Sequence, residues 1–162
     1  MRSRAPLQDT RSFFNPGFIA LNIYALALGY TKHEDAGLPL PLVYVGIPLC
    51  LHTTTRSVLP ARASKRFHLW VQENQQILIG FGGRAAAMKR RVDSGIMFGC
   101  SAALIELTDS GKIISLKKPK GFSSKLLDGD PTDCFVASER LGQMLSKIPK
   151  TALVYYMLGV RP

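Results

Sequence analysis

Apolar and polar positions follow one another along this chain in a pattern that predicts a mainly helical protein with a small β-hairpin. Two β-rich runs, Leu104 to Thr108 and Lys112 to Leu116, flank Asp109-Ser110-Gly111, residues that tolerate turn dihedrals. The segment before them, from Gln75 onward, carries apolar residues at helical spacing. Two helices followed by a hairpin are typical of a winged helix, which we expect at about residues 65–118.

Capping residues and prolines indicate where other helices begin. Asn15-Pro16 predicts a helix start, because asparagine is a favoured N-cap and proline is tolerated in the first turn; this helix should end near Tyr30. A second buried helix is expected over residues 40–51, bent or ended near Pro48. Later in the chain, Asp130-Pro131 should open a helix in the same way.

The segment before the hairpin is expected to hold two separate helices. The first covers roughly residues 76–91, and Asp93 or Ser94 should cap the second. Met97 and Cys100 are expected to face the core from this second helix.

These elements predict a winged-helix-like core with additional N- and C-terminal helices. Residues 1–12 are expected to form a flexible basic arm, and residues 13–162 a single compact helical domain. Hydrophobic residues make up 46% of the 162 positions, which is enough for a core and argues against global disorder. The longest apolar run, residues 38–51, is shorter than the roughly 20 residues that a membrane-spanning helix needs. We therefore expect no membrane partner.

Positive charge dominates the polar residues. Lys and Arg total 21 against 11 Asp and Glu, a net charge of +10. Such a surplus favours polyanions such as DNA, RNA or an acidic protein face, although a basic protein can also keep its charge solvated. Lysines on a wing can reach phosphates, which gives salt-dependent affinity without sequence choice. The candidates for phosphate contact are Arg84, Lys89, Arg90, Arg91, Lys112, Lys117, Lys118 and Lys120.

Two arguments count against sequence-specific DNA binding. Basic residues at a helix C-terminus also complement the helix dipole, and many winged helices bind only proteins. The expected reading helix, Asp93 to Ile105, contains no Arg, Lys, Asn or Gln to contact base edges. If DNA is bound, we expect contact with its backbone.

The sequence shows no catalytic, cofactor or metal site. Gly80-Phe81-Gly82-Gly83-Arg84 lacks the lysine and hydroxyl residue of a phosphate-binding loop, so helix packing is its favoured interpretation. The histidines have no metal-binding spacing, and His52 is expected to cap a helix or hydrogen-bond in the core. Three separated cysteines favour buried thiols in a reducing environment. We expect a cytoplasmic protein that is not an enzyme and needs no cofactor.

Several short motifs together resemble one protein family. They are Asn15-Pro16, Pro39-Leu40-Pro41, Ile47-Pro48-Leu49, His52 with Arg56, Leu59-Pro60, Leu78-Ile79-Gly80-Phe81 with Arg84, Phe98-Gly99, and Leu158-Gly159-Val160-Arg161-Pro162. The combination resembles the middle component of bacterial three-component ABC-ATPase conflict systems. This group includes the third subunit of Lamassu anti-phage defence. The resemblance covers nearly the whole chain, from about residue 13 onward.

The resemblance implies a non-enzymatic adaptor subunit, and no catalytic residues carry over from the family. Its partners would be an SMC- or Rad50-like ATPase, which senses foreign DNA, and an effector, often a nuclease. The middle subunit would link the two and help to hold the effector inactive until sensing. The basic charge of this chain leaves room for direct contact with double-stranded DNA through its backbone.

Interface candidates lie near the C-terminal end of the chain. They are Tyr155, Tyr156, Val160, Arg161 and Pro162, since aromatic residues and arginine are common interface anchors. Core packing explains the two tyrosines equally well. The alternative function is a stand-alone winged-helix DNA-binding protein, which would bind duplex DNA without partners. An enzyme is a third hypothesis, supported only by scattered His and Ser residues.

Overall fold

The computed structural model describes residues 15–116, residue 118 and residues 130–162. The basic arm predicted at residues 1–12 lies outside this described part. The described elements are α1 Pro16–Thr31, β1 Leu38–Pro39, α2 Leu40–Leu51, α3 Thr53–Ser57, α4 Phe67–Glu73, a 3-10 helix Gln75–Leu78, α5 Phe81–Ser101, β2 Ile105–Leu107, β3 Lys112–Ser115, α6 Asp130–Leu145 and α7 Thr151–Leu158. The prediction of a mainly helical chain with a small β-hairpin is confirmed.

Local sequence explains where α1 begins. The side-chain oxygen of Asn15 accepts a hydrogen bond from the Gly17 backbone N–H at 2.7 Å, and Pro16 is the first helical residue. Both predicted features are confirmed, and the helix ends at Thr31. Most of its residues are buried because α5, α6 and β3 pack around it. α1 is therefore the central helix of the described fold.

α2 is a largely buried apolar helix that tolerates a proline. It begins at Leu40, as predicted, and Pro48 lies inside it without ending it. The Arg56 guanidinium donates hydrogen bonds to the carbonyl oxygens of Cys50 and Leu51 at 3.2 and 3.3 Å. Because the last carbonyls of a helix lack partners within that helix, these bonds secure the C-terminal end of α2.

His52 stands between α2 and α3. Its Nδ1 accepts a hydrogen bond from the Thr55 backbone N–H at 3.4 Å, and the Thr55 hydroxyl lies 3.0 Å from the same nitrogen. The ring therefore acts as the N-cap of α3. The predicted capping role of His52 is confirmed.

α1 and α6 cross at very short range. A Cβ on Gly29 would lie 1.8 Å from the Glu139 carbonyl oxygen, and a Cβ on Gly142 would lie 2.1 Å from the Leu26 carbonyl oxygen. Only glycine allows the two backbones to approach so closely at both positions. The contact buries Ser138, whose hydroxyl lies 3.0 Å from the Asn22 side-chain oxygen. The crossing thus depends on two glycines and one buried polar pair.

The hairpin belongs to a three-stranded antiparallel sheet with the strand order β1-β3-β2. Ile113 of β3 lies opposite Leu38 on one side and Leu107 on the other. Gly111 supports the turn in the left-handed conformation, with φ of 74°. The sheet therefore includes residues outside the range 65–118, since β1 precedes α2.

The predicted helix break at Asp93 or Ser94 is wrong, because α5 runs without interruption from Phe81 to Ser101. Both side chains have other partners: Asp93 accepts hydrogen bonds from Tyr44 and Lys89, and the Ser94 hydroxyl donates to the Arg90 carbonyl oxygen.

The continuous helix also changes which residues face outward. Met97 is 71% exposed and Cys100 is exposed, so the prediction that they face the core is wrong. Ile96, between them, is buried.

Candidate interaction site at the C-terminal groove

The C-terminal residues fold back along α5. α7 ends at Gly159, which adopts a left-handed conformation with φ of 67°. The Val160 N–H donates to the Tyr155 carbonyl oxygen at 3.1 Å, which fixes the direction of the chain after the helix. Val160 then lies beside Gly82, where its Cγ1 is 3.5 Å from the place a Cβ would occupy. The tail is thus part of the folded surface.

A groove of about 480 Å³ lies between α2, the first half of α5 and this tail. We call it the C-terminal groove. Its apolar lining comes from Val45, Ala85, Ala86 and Val160, together with the rings of two tyrosines. The predicted interface residues Tyr155, Val160, Arg161 and Pro162 all line it. Four of the five interface candidates therefore come together in the structure.

The two adjacent tyrosines have different environments. Tyr155 is 7% exposed, and its hydroxyl donates a hydrogen bond to the Pro41 carbonyl oxygen at 2.7 Å. Burial raises the pKa of Tyr155 above its ordinary value. Tyr156 is 82% exposed and does not line the groove. Tyr155 therefore connects α7 to the start of α2, and Tyr156 presents its ring to solvent.

One wall of the C-terminal groove is held by a hydrogen-bonded cluster. The Tyr44 hydroxyl donates to Asp93 at 2.6 Å, and the Lys89 ammonium donates to the same carboxylate at 3.1 Å. The ammonium also lies 5.5 Å from the centre of the Tyr44 ring. Burial and the hydrogen bond to Asp93 raise the pKa of Tyr44 to about 12, and that hydrogen bond lowers the pKa of Asp93. The wall is thus fixed across α2 and α5.

Positive charge borders the groove. Lys89 and Arg161 both line it, and no carboxylate is among the lining residues. Arg161 is exposed, and within the described ranges its guanidinium forms no hydrogen bond or ion pair. This cation is available to a ligand.

Arg84, a predicted phosphate contact, has a structural role instead. Its guanidinium donates to the carbonyl oxygens of Ile77 and Ile79 at 2.9 and 2.7 Å, and it lies over the Phe81 ring. These bonds connect the 3-10 helix to the first turn of α5. Because its donors already serve backbone carbonyls, Arg84 is poorly placed to contact DNA.

The other predicted phosphate contacts are divided between two elements. Lys89, Arg90 and Arg91 lie in the middle of the 21-residue α5, so they do not serve a helix C-terminus as the sequence had indicated. Lys112 is half-buried at the start of β3, and Lys118 is exposed after it. Lys117 and Lys120 lie outside the described residues. Arg90 and Arg91 are the most exposed basic pair on α5.

Comparison with known proteins identifies the family. A family model for the ABC-three component (ABC-3C) system Middle Component 3 matches residues 3–162. The chain belongs to this family. No curated protein and no solved structure shows detectable similarity to it. The predicted resemblance to a middle component is therefore confirmed at the family level, and membership implies that the chain has partner components within an ABC-three component system.

Other chemistry was searched for in this Middle Component 3 member. Among residues 15–116, 118 and 130–162, no group of three His, Cys, Asp or Glu side chains is placed to hold a metal ion. No helix in the same ranges is both long and apolar enough to cross a bilayer. Burial raises the pKa of Cys50 to about 12 and that of Cys134 to about 11, so both thiols stay protonated at neutral pH.

Sequence reasoning missed half of the groove in this family member. Tyr44, Val45, Ala85 and Ala86 line it opposite the tail, but each reads as an ordinary core or helix residue. The small residues Ala85-Ala86-Ala87 after a glycine pair were the available signal, because short side chains leave space on a helix face.

Proposed function

We propose that this chain is a non-enzymatic adaptor subunit that links an SMC- or Rad50-like ATPase to an effector, often a nuclease. It helps to keep the effector inactive until the ATPase senses foreign DNA, in a cytoplasmic defence system of the Lamassu type. Family membership carries this proposal, because a middle component acts with the other components of its system.

The surface supports an adaptor role. The C-terminal groove combines an apolar lining with exposed cations, and Tyr156 presents an aromatic ring close by in sequence. Interfaces between proteins are enriched in aromatic residues and arginine. Ile79, which is 76% exposed, adds apolar surface just before α5. These features favour protein partners over a small substrate.

Direct contact with double-stranded DNA is a second part of the proposal. The order α1, β1, α2, α5, β2 and β3, with β1 paired to β3, is the order of elements in a winged helix. In this interpretation the winged-helix-like unit takes in α1 and β1, and α3, α4 and the 3-10 helix are inserted into it. Arg90 and Arg91 would meet phosphates from α5, and Lys118 from beyond the hairpin.

Co-expression of the chain with the ATPase and effector of its system tests the adaptor role. With a tag on the ATPase, we expect all three proteins to purify together, and the effector to be lost when this chain is omitted. An omission that leaves the ATPase and the effector together, or a chain that associates with neither, would contradict the proposal. Nuclease activity measured with and without the chain tests whether it holds the effector inactive.

The net charge of +10 and the winged-helix order of elements favour one alternative, a stand-alone DNA-binding protein. The isolated chain would then bind duplex DNA tightly and select among sequences. Under this alternative, changing Lys117 and Lys118 to Glu abolishes binding in a fluorescence anisotropy titration, and unchanged affinity rejects it. The exposed face of α5 near Met97 and Phe98 lacks groups that read base edges, which favours the adaptor.

A further inference from the structure

We propose that the C-terminal groove binds an acidic segment of a partner component, in which a bulky apolar side chain enters the groove and a neighbouring carboxylate meets Arg161. This inference rests on the proposed adaptor function and identifies the surface and the chemistry of one of its contacts. The occupant is a peptide segment of another protein in the complex.

The size and lining of the groove define the apolar part of the occupant. A volume of about 480 Å³ lies within the range of pockets that take small ligands or side chains. The methyl groups of Val45, Ala85, Ala86 and Val160 line it, so an apolar side chain gains most from entering. The walls are fixed before binding, by the Tyr155 bond to Pro41 and by the Tyr44–Asp93 pair. A preformed groove lowers the entropic cost of association.

Charge defines the rest of the occupant. Two cations and no carboxylates line the groove, on a chain whose net charge is +10. Lys89 already serves Asp93, but within the described part of the chain Arg161 has no anionic partner. A guanidinium can bind a carboxylate through two parallel hydrogen bonds. An Asp or Glu beside the apolar side chain would therefore complement Arg161.

A nucleic acid strand fits this groove less well. A base would have to stack on an aromatic ring, and the Lys89 ammonium already lies against the Tyr44 ring. The polar edges of a base would also face methyl groups of the lining and lose their hydrogen bonds to water. An apolar side chain followed by a carboxylate avoids both costs.

Site-specific cross-linking in the reconstituted three-component complex locates the occupant. A photoreactive benzoylphenylalanine replaces Ala86, which lines the groove, or its neighbour Ala87, which is exposed but does not line it. We expect the Ala86 position to cross-link to one partner segment that holds a large apolar residue within a few positions of Asp or Glu. Equal cross-linking from Ala87, or a segment without a carboxylate, overturns the inference.

A synthetic peptide of the cross-linked segment then tests the charge. We expect Ala86→Glu to weaken its binding about tenfold or more, and Ala86→Lys, of similar bulk, to weaken it far less. Ala87→Glu is the matched control and should leave the affinity within about twofold. Arg161→Glu should weaken binding and Arg161→Lys should retain most of it. Equal losses from Ala86→Glu and Ala86→Lys would show that charge plays no part and would overturn the inference.

The outcomes separate this inference from the adaptor proposal. A complex that forms normally with Ala86→Glu and Arg161→Glu rejects the groove as a contact and leaves the adaptor role standing. Failure of the wild-type chain to join any complex rejects both. Displacement of the peptide by a single-stranded oligonucleotide, together with cross-links from Ala86 to that oligonucleotide, would replace the peptide with nucleic acid as the occupant.

Discussion

His52 shows how one residue can connect two helices and respond to pH. Its Nδ1 can accept the hydrogen bond from Thr55 only while that nitrogen carries no proton. Burial, and then the positive charges of Arg84 and Arg56, lower the pKa of His52 below its ordinary value of 6.5. The folded chain therefore binds a proton at His52 less readily than the unfolded chain does.

This shift predicts that stability depends on pH. Because the folded pKa is the lower one, the stabilising effect of His52 is complete above about pH 6.5 and is lost as the pH falls through the folded pKa. Urea denaturation between pH 8 and pH 5 should show a smaller pH dependence for His52→Asn, whose amide can cap α3 but does not titrate. An identical pH profile in wild type and variant would reject the assignment.

The tyrosine pair gives a second prediction at the residue scale. Tyr155→Phe removes the hydrogen bond to the Pro41 carbonyl oxygen and should cost about 1 kcal/mol of unfolding free energy. Tyr156→Phe is the control and should change stability by less than about 0.5 kcal/mol, because Tyr156 is 82% exposed. Tyr156→Ala should instead weaken co-purification with a partner. If both Phe variants were equally destabilised, the structural distinction between the tyrosines would be wrong.

At the scale of elements, the crossing of α1 and α6 is the least tolerant contact described. A methyl group on Gly142 would lie 2.1 Å from a backbone oxygen, and no flexible side chain is there to move aside. The two helices would have to separate, which disturbs the buried Ser138 and its neighbours.

Gly142→Ala should therefore destabilise the protein by about 3 kcal/mol or more, measured by chemical denaturation. Gly83→Ala is the matched control, since nothing lies within 4 Å of its added methyl group and the residue is helical. That variant should be neutral or more stable by up to about 1 kcal/mol. A mild effect at Gly142 would mean that the helices are farther apart than described.

The elements also show what could be predicted from the sequence. The start of α1 was predictable because Asn15 and Pro16 act locally, within one helical turn. The length of α5 was not, because Asp93 is bound by Tyr44, 49 residues earlier in the chain. β1 was missed since two residues, one of them proline, carry no strand pattern and pair only where β3 is already in place. The C-terminal groove joins three distant segments, so local patterns revealed only the tail.

At the scale of the whole molecule, the positive charge is spread unevenly in its availability. Lys32 and Lys65 are paired with Glu139 and Glu73, and Arg56 with Asp130. Arg90 is exposed on the middle of α5, and its side chain has no partner in the described ranges. Long-range attraction of a polyanion should therefore depend on all the charges, and direct contact on few of them.

Salt titration separates these contributions. If the protein contacts duplex DNA through α5, Arg90→Gln should reduce the slope of log affinity against log salt by about 1, as expected for one lost phosphate contact. Lys32→Gln removes the same charge at a residue already paired with Glu139, and it should leave the slope nearly unchanged. Equal effects of the two variants would indicate attraction by net charge alone.

The uninterrupted α5 has a mechanical consequence. Its 21 residues span about 30 Å, with the C-terminal groove along its first half and the hairpin directly after its last turn. A continuous helix behaves as a stiff lever, so a tilt of about 10° imposed at one end would displace the other by about 5 Å. A ligand seated at the tail and a surface presented by the hairpin are thus joined by one rigid arm, although the sequence between them had suggested a joint.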